Sequence, residues 1–203
     1  MLENTFKSTD GKTTVHWYKW EVEKPVAVLQ IVHGMSEFIL RYDAFAKYLN
    51  ENGILVVGHD HIGHGKSVES KKDWGYFGEE GGWKVFIQDV EELRKIVKEQ
   101  YPDVPYFLMG HSMGSFVARG WLKMFGEGID GAIITMPGCN DAIDLLCQKR
   151  IPTVLIEQPH APSPKLACIE NDETGIGQMA ARIFMRHGVY RSFGYVPSKG
   201  SFP

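Results

Sequence analysis

The sequence predicts a three-layer α/β/α protein in which helices cover both faces of a mostly parallel sheet. Short apolar runs alternate with amphipathic helical patterns along most of the 203 residues. The clearest pattern, at 83–99, places its apolar residues three and four positions apart, as on one face of a helix. Hydrophobic residues make up 43% of the chain, which is enough for a packed core. Parallel strands need crossover helices, so this alternation favours a parallel sheet.

The apolar runs predict the strands, and turn residues bound most of them. Lys24 and Pro25 separate the first two runs, and Pro102 and Pro105 precede the run at 106–110. Strands are predicted at residues 13–20, 26–32, 54–58, 106–110, 131–136, 153–157, 166–170 and 192–196.

Helices are predicted where apolar residues recur at helical spacing and a glycine follows. The pattern at 38–51 stops before Gly53, and the pattern that begins at Ser112 ends at Gly126. Helices are predicted at residues 38–51, 83–99, 112–125, 141–149 and 174–187.

Charge and composition exclude several classes of function. The net charge is −3 and the charges are mixed along the chain, so no basic surface predicts a nucleic-acid partner. No apolar run approaches the length of a membrane span, and no export signal is evident, so we expect a cytoplasmic protein without membrane insertion.

Cys139, Cys147 and Cys168 match no metal or redox spacing and are expected to be reduced core thiols. No cofactor is expected, and the oligomeric state stays open.

The pentapeptide GHSMG at 110–114 has the form Gly-x-Ser-x-Gly between a predicted strand and a predicted helix. Gly110 and Gly114 lack the side chains that would clash in a tight strand-to-helix turn. Such a turn would present the hydroxyl of Ser112 above the sheet as a nucleophile. The alternative is a small serine that only caps the helix, where serine is common.

The segment HGMSE at 33–37 follows an apolar strand and is the second candidate part of a site. Acyl transfer places negative charge on the carbonyl oxygen, and each backbone N–H group aimed at that oxygen stabilises it by about 3–4 kcal/mol. The residue after the nucleophile, Met113, is one candidate donor, and Met35 is the other. The alternative for HGMSE is an ordinary strand-to-helix turn.

The third segment, DHIGHGKS at 60–67, lies in a region with three close histidines, His59, His61 and His64. These histidines do not predict a metal site. No helix pairs two of these histidines on one face, and no carboxylate spacing matches a zinc pattern. The glycines favour a tight loop beside the site.

These motifs, with RYDAFAKYL at 41–49, resemble the monoglyceride lipase and lysophospholipase branch of the α/β-hydrolase superfamily, over residues 1–136. The resemblance implies that Ser112 is a nucleophile and that the backbone N–H groups of Met35 and Met113 are oxyanion donors. It also implies hydrolysis of a carboxylic ester with an acyl or glyceryl group, such as a monoacylglycerol or a lysophospholipid. Phe38 stands where many relatives carry histidine, which would alter recognition of a glyceryl group.

The remaining parts of that family pattern are not found in the sequence. Relatives insert a helical lid after the sixth strand, and they place an acid after the seventh strand and a histidine after the eighth. Here PGCN alone joins strand 131–136 to the next helix, so no lid domain is expected. Glu157 is chemically acceptable as the acid, without the family's surroundings. His160 and His187 are the late histidines, and neither follows the last predicted strand.

Residues 129–203 instead resemble part of the sensor domain of lactose-repressor-type regulators, which fold like periplasmic sugar-binding proteins. The sequence therefore predicts a hybrid: residues 1–128 form a hydrolase-like half, and residues 129–203 add Rossmann-like strand–helix units to the same sheet. Asn171 and Asp172 would face a ligand in a complete sensor, but capping of helix 174–187 is the favoured role here.

Three functions compete on this basis. The first is a serine ester hydrolase with weak or no activity, because losing one triad member removes most of the rate. The second is a non-catalytic α/β scaffold, engineered or recombined, that retains the serine turn. The third is a fragment of a sugar-sensing regulator. The first requires a histidine base near Ser112, from His160 or His187, or from an unexpected position such as His33 or His64.

Overall fold

The computed structural model describes residues 1–78, 81–135, 144, 147–148, 150–157, 166–172, 174–176, 178–179 and 182–183. The strands in this part of the chain are β1 (Leu2–Lys7), β2 (Thr14–Trp20), β3 (Ala27–Val32), β4 (Ile54–His59), β5 (Tyr106–Gly110), β6 (Gly131–Thr135), β7 (Thr153–Ile156) and β8 (Ala167–Ile169). The longer helices in this part are α1 (Asp43–Glu51), α2 (Gly82–Gln100) and α3 (Met113–Met124), with short 3₁₀ turns at Ile39–Tyr42 and Lys71–Asp73.

The eight strands form one sheet in the order β1–β2–β4–β3–β5–β6–β7–β8. The pairs β1–β2 and β2–β4 are antiparallel, and every pair from β4 to β8 is parallel. The mostly parallel sheet is therefore confirmed. It continues past the predicted boundary at residue 128 without a break, and the compact unit that contains it is Met1–Glu170.

Side chains that alternate along β3 divide the core between the two faces of the sheet. Val28 and Val32 pack with residues of α2 and α3 on one face. Leu29 and Ile31 pack with α1 on the other face. This alternation, with period two, is what a strand covered on both faces requires, and it accounts for the three layers.

Gln30 is fully buried on the face of the sheet that α2 covers. Its Nε2 donates to the carbonyl oxygen of Val90 at 3.0 Å, and its Oε1 accepts from the hydroxyl of Tyr106 at 2.5 Å. These bonds satisfy polar groups that would otherwise be expensive to bury. They also tie β3, β5 and α2 together below the edge at which the candidate loops lie.

Asp89 of α2 anchors the turn between β1 and β2 in a similar way. Its carboxylate accepts from Ser8 Oγ, from the backbone N–H of Thr9 and from Thr9 Oγ1, each at 2.8 Å. Burial raises the pKa of the Asp89 carboxyl, and these three hydrogen bonds work in the opposite direction. The N-terminal hairpin is thus held to α2 by a buried polar contact.

Some of the strands, helices and cysteines considered in the sequence differ from the structure or cannot be compared with it. Strand β1 was not predicted. The predicted strand at 192–196, most of the helix at 141–149, and Cys139 lie outside the described residues. Cys147 and Cys168 are unpaired and half-buried. No helix in the described part of the chain is long and apolar enough to cross a membrane.

The second unit, residues 171–203, is helical at 174–176, 178–179 and 182–183. Asp172 Oδ1 accepts a hydrogen bond from the backbone N–H of Gly175 at 2.9 Å, three residues later. This is the geometry of a helix cap, so the capping role predicted for Asp172 is confirmed.

Replacing Leu108, which is 1% exposed in β5, tests the packing of the main core. The Leu108→Ala variant removes buried methyl groups and leaves a cavity, so we expect the free energy of unfolding to fall by about 2–5 kcal/mol in urea titrations. Tyr48→Ala on α1, where the side chain is 62% exposed, is the control and should change it by less than about 0.5 kcal/mol. Similar losses in the two variants would contradict this assignment of the core.

Candidate active site

Three loops meet at the carboxyl edge of the adjacent parallel strands β3, β4 and β5. They are residues 33–37, 60–67 and 110–114, the three segments that the sequence singled out. The backbone N–H of His111 donates to the carbonyl oxygen of Val32 at 3.0 Å. The backbone N–H of His61 donates to His33 Nε2 at 3.1 Å. This edge is where open α/β sheets place their ligand sites.

The backbone of Ser112 is strained in the turn between β5 and α3. Its φ is 52° and its ψ is −119°, which places an L-residue at positive φ. Such conformations cost about 1–3 kcal/mol and persist only where the surrounding packing enforces them. Ser112 occupies the N-cap position of α3, but its side chain makes no capping hydrogen bond. The geometry therefore gives no support to the capping alternative.

Gly110 and Gly114 allow this turn to pack closely. A Cβ at Gly114 would overlap the carbonyl oxygens of Val32 and His33, and a Cβ at Gly110 would lie 2.5 Å from the carbonyl oxygen of Gly114. These obstacles are backbone atoms, which cannot rotate away. The flanking glycines of the motif are thus explained by close approach of the chain.

The backbone N–H groups around Ser112 fall into two kinds. The N–H of Ser112 donates to Thr135 Oγ1 at 3.0 Å, and Thr135 Oγ1 lies 3.3 Å from Ser115 Oγ. For the N–H groups of Met113 and Met35, no acceptor is found among the described residues. The first turn of a helix leaves such donors unsatisfied. Met35 lies in an exposed turn, and its side chain is 60% exposed.

Glu37 joins the loop 33–37 to the Ser112 turn, a role that the sequence analysis missed. Its Oε1 accepts from the backbone N–H of Gly34, from the hydroxyl of Tyr42 at 2.9 Å and from Nδ1 of His111 at 3.0 Å. The sequence contained a signal for the contact with Gly34, because a glutamate often accepts a hydrogen bond from the backbone N–H three residues before it and so closes a turn. Thr135 was missed as well, and nothing near it in the sequence marks its partner.

Asp60 organises the loop 60–67. Its two carboxylate oxygens accept from the backbone N–H groups of Ile39 and Lys66, each at 2.9 Å. Burial raises the pKa of the Asp60 carboxyl, and the two backbone hydrogen bonds oppose that change. A Cβ at Gly65, where φ is +50°, would overlap this carboxylate, so the loop is as tight as its glycines predicted.

Four buried histidines, which we call the histidine cluster, lie beneath these loops: His33, His59, His61 and His64. The ring centroids of His33 and His61 are 4.3 Å apart, and those of His59 and His61 are 4.8 Å apart. Within the described part of the chain, both ring nitrogens of His59 and of His61 lack a hydrogen-bond partner. Even so, no group of three metal-ligating side chains within the described residues is arranged to hold a metal ion.

Burial keeps three members of the histidine cluster, His33, His59 and His61, neutral. It lowers the pKa of His33 to about 4 and that of His59 to about 3, and it holds the pKa of His61 well below the ordinary value. His33 Nε2 accepts from the N–H of His61, so the ring proton lies on Nδ1, which donates to the carbonyl oxygen of Gly34 at 2.7 Å. Because both nitrogens are engaged, His33 is not available as a base for Ser112.

The described residues do not complete a catalytic triad. No histidine among them makes a hydrogen bond with Ser112 Oγ, and Nδ1 of His64 bonds instead to the carbonyl oxygen of Ile62 at 3.0 Å. His160 and His187 lie outside the described residues. Glu157 follows β7 directly, has an exposed side chain and a φ of 63°, and donates its N–H to Ile169 at 2.9 Å.

Adding one methyl group at Gly114 tests the close packing of the turn. The Gly114→Ala side chain would collide with two backbone carbonyls, so we expect the free energy of unfolding to fall by about 3 kcal/mol. In the matched control Gly11→Ala, φ is +73° but no atom lies within 4 Å, so backbone strain of about 1 kcal/mol is the only expected loss. Equal losses in urea titrations would show that the turn is looser than described.

Because burial lowers the pKa of His59, we expect the free energy of unfolding to fall in mild acid. His59 has a pKa of about 3 when folded and about 6.5 when unfolded, so between these values the unfolded chain holds an extra proton. Its contribution is complete above pH 6.5 and is lost as the pH falls. From pH 7 to pH 5 the wild type should lose about 2 kcal/mol more than His59→Phe. Urea titrations at both pH values would refute this prediction if the two proteins lost the same free energy of unfolding. Asp60 and Asp89 are present in both proteins, so the contributions of their titration cancel in the comparison.

The chain is similar to known proteins in sequence and in structure. A monoglyceride lipase homolog of Monkeypox virus is 42% identical over 118 residues, which cover 58% of this chain and 41% of the relative. A phospholipase of Bacillus subtilis is 33% identical over 135 residues, covering 63% of this chain and 49% of the relative. A carboxyl esterase from Bacillus coagulans, solved with glycerol, is 38% identical with a TM-score of 0.62, covering 72% of this chain and 49% of that one. The chain thus spans less than half the length of each of these relatives.

The family described as serine aminopeptidase, S33, matches residues 23–184. This match passes through the predicted junction at 129–136 without interruption and gives no support to a sensor-domain segment. The sheet does the same, since β5 pairs in parallel with β6, β6 with β7, and β7 with β8. The match, the strand order and the strained serine turn agree, and the chain belongs to the serine aminopeptidase S33 family of serine hydrolases, with the α/β-hydrolase fold.

Proposed function

We propose that this chain is a serine ester hydrolase in which Ser112 is the nucleophile and the backbone N–H groups of Met35 and Met113 stabilise the oxyanion. The observation that carries the proposal is the strained backbone of Ser112, at φ 52° and ψ −119°. Strain of this kind is retained where the surroundings enforce it, and it clusters at active sites. Among the residues that the structure describes, neither the N–H of Met35 nor that of Met113 has an acceptor, which supports the second part of the proposal.

The chemistry proposed is acyl transfer in two steps. Ser112 Oγ attacks the carbonyl carbon of an ester as its proton passes to a base, and the carbonyl oxygen becomes an anion. The N–H groups then hold that anion, and the alcohol leaves with the proton. Water repeats the attack on the acyl-enzyme, which releases the acid and restores Ser112.

The substrate class proposed is a small carboxylic ester. The names of the relatives refer to monoglycerides, to phospholipids and to carboxyl esters, and the bond that these compounds share is a carboxylic ester. Residues 136–152 are all that join β6 to β7, so we propose a site without a large lid. Such a site is open to water, and short activated esters are the substrates that suit it best.

The second candidate is a non-catalytic scaffold of the same family. It is favoured by one observation: no histidine in the described part of the chain bonds to Ser112 Oγ. Without a base, a serine hydroxyl is a weak nucleophile. His160 and His187 are the remaining candidates for that base, and Glu157 is the remaining candidate for the acid.

Labelling with a fluorophosphonate probe separates these two functions, because such probes modify a serine efficiently only when it is activated. We expect stoichiometric labelling of the wild type and none of Ser112→Ala, together with a loss of at least about 1000-fold in hydrolysis of 4-nitrophenyl butyrate. Ser70→Ala is the matched control, since Ser70 caps a 3₁₀ turn at a distant sequence position. A folded wild type that takes up no probe would favour the scaffold, and unchanged labelling of Ser112→Ala would exclude Ser112 as the nucleophile.

A further inference from the structure

The carboxylate of Glu37 is buried between two of the loops at the candidate site. Only 6% of this residue is exposed. Its Oε1 accepts three hydrogen bonds, from Gly34, Tyr42 and His111, and its Oε2 lies 3.0 Å from Nη1 of Arg41. A carboxylate is buried at this depth only when hydrogen bonds replace its lost water.

The partners of Glu37 belong to three different parts of the chain. Gly34 is in the loop 33–37, Tyr42 immediately precedes α1, and His111 precedes Ser112 in the tight turn. A carboxylate can only accept, so Nδ1 of His111 carries the proton in this contact. The same oxygen therefore holds the N–H of Gly34 and the ring of His111 at fixed positions with respect to each other.

Electrostatics favours the ionised form of Glu37 in this position. Burial raises the pKa of its carboxyl, but the hydrogen bonds from Gly34, His111 and Tyr42 outweigh burial and leave the pKa below the ordinary value. Glu37 is therefore charged at neutral pH, and charged acceptors make stronger hydrogen bonds than neutral ones.

The loop and the turn also touch directly at Gly34. A Cβ at Gly34 would lie 3.1 Å from Ser112 Cβ and 3.2 Å from the carbonyl oxygen of His111. Close contact at Gly34 thus prevents the loop from moving nearer to Ser112, and the Glu37 hydrogen bonds prevent it from moving away. Met35 follows Gly34 directly, so a shift of Gly34 would move the backbone N–H of Met35.

We propose that Glu37 is a positioning residue that holds the loop 33–37 against the Ser112 turn, and so fixes the N–H of Met35 at a set distance from Ser112. This inference rests on the proposed function in so far as Ser112 and Met35 take part in catalysis. Glu37 itself acts through Gly34 and His111. Displacements of about 1 Å in such donors reduce rates by about 100-fold.

Two substitutions of Glu37 separate the effect of its side-chain length from the effect of its charge. Glu37→Gln keeps the length and an acceptor oxygen for Gly34 and Tyr42, and removes the charge. Glu37→Asp keeps the charge, but it is one methylene shorter and cannot reach all three donors. The control is Glu92→Ala on α2, which removes an exposed carboxylate from an ion pair with Lys95.

The first measurement is amide hydrogen exchange of residues 33–37 and 111–114, which needs no activity. We expect exchange in both segments to be at least about 10-fold faster in Glu37→Asp, and within about 3-fold of wild type in Glu37→Gln and Glu92→Ala. Unchanged exchange in folded Glu37→Asp would overturn the positioning role. Equal acceleration in Glu37→Gln would overturn it too, because charge alone would then be responsible.

The second measurement is the rate of fluorophosphonate labelling in the same proteins. We expect Glu37→Asp to label at least about 10-fold more slowly than wild type, and Glu37→Gln to recover to within about 5-fold. Equal rates in wild type and Glu37→Asp would overturn the link from Glu37 to Ser112. If the folded wild type takes up no probe, the proposed function fails by itself, and hydrogen exchange still decides whether Glu37 holds the two segments together.

Discussion

The backbone of Ser112 has a conformation that an L-residue does not adopt without support, and the packing around it supplies that support. Val32 fills the space in which a side chain at Gly114 would lie, and Thr135 accepts the N–H of Ser112 from the next strand. Below the turn, Gln30 fixes the distance between β3 and β5. The candidate site thus depends on a closely packed sheet edge, and a looser core would release the strain on which the geometry rests.

The sequence predicted the elements whose apolar pattern is local. Helix α2 was predicted at 83–99 and lies at Gly82–Gln100, and β5 was predicted to the residue. Strand β1 was missed, because most of its side chains are exposed and alternation is absent. It is stabilised by antiparallel pairing with β2, a contact between distant residues that no local pattern encodes.

The site divides in the same way. Ser112 and the loops 33–37 and 60–67 could be identified because their glycines mark tight turns, and tight turns are local. The bonds that join these segments could not, because His111 lies 74 residues from Glu37, and Ser112 lies 23 residues from Thr135 along the chain. Which nitrogen of His33 carries its proton likewise depends on the N–H of His61, from another loop. Such information exists only once the chain is folded.

The anchor between Asp89 and the N-terminal turn has a consequence for the order of assembly. Ser8 and Thr9 find their acceptor about eighty residues later in the chain, on a helix that follows four of the eight strands. As a growing polypeptide leaves the ribosome, the hairpin β1–β2 emerges before α2 and still lacks this partner. The turn can be anchored to the rest of the protein only after α2 has been synthesised, so β1 and β2 are secured later than their own synthesis allows.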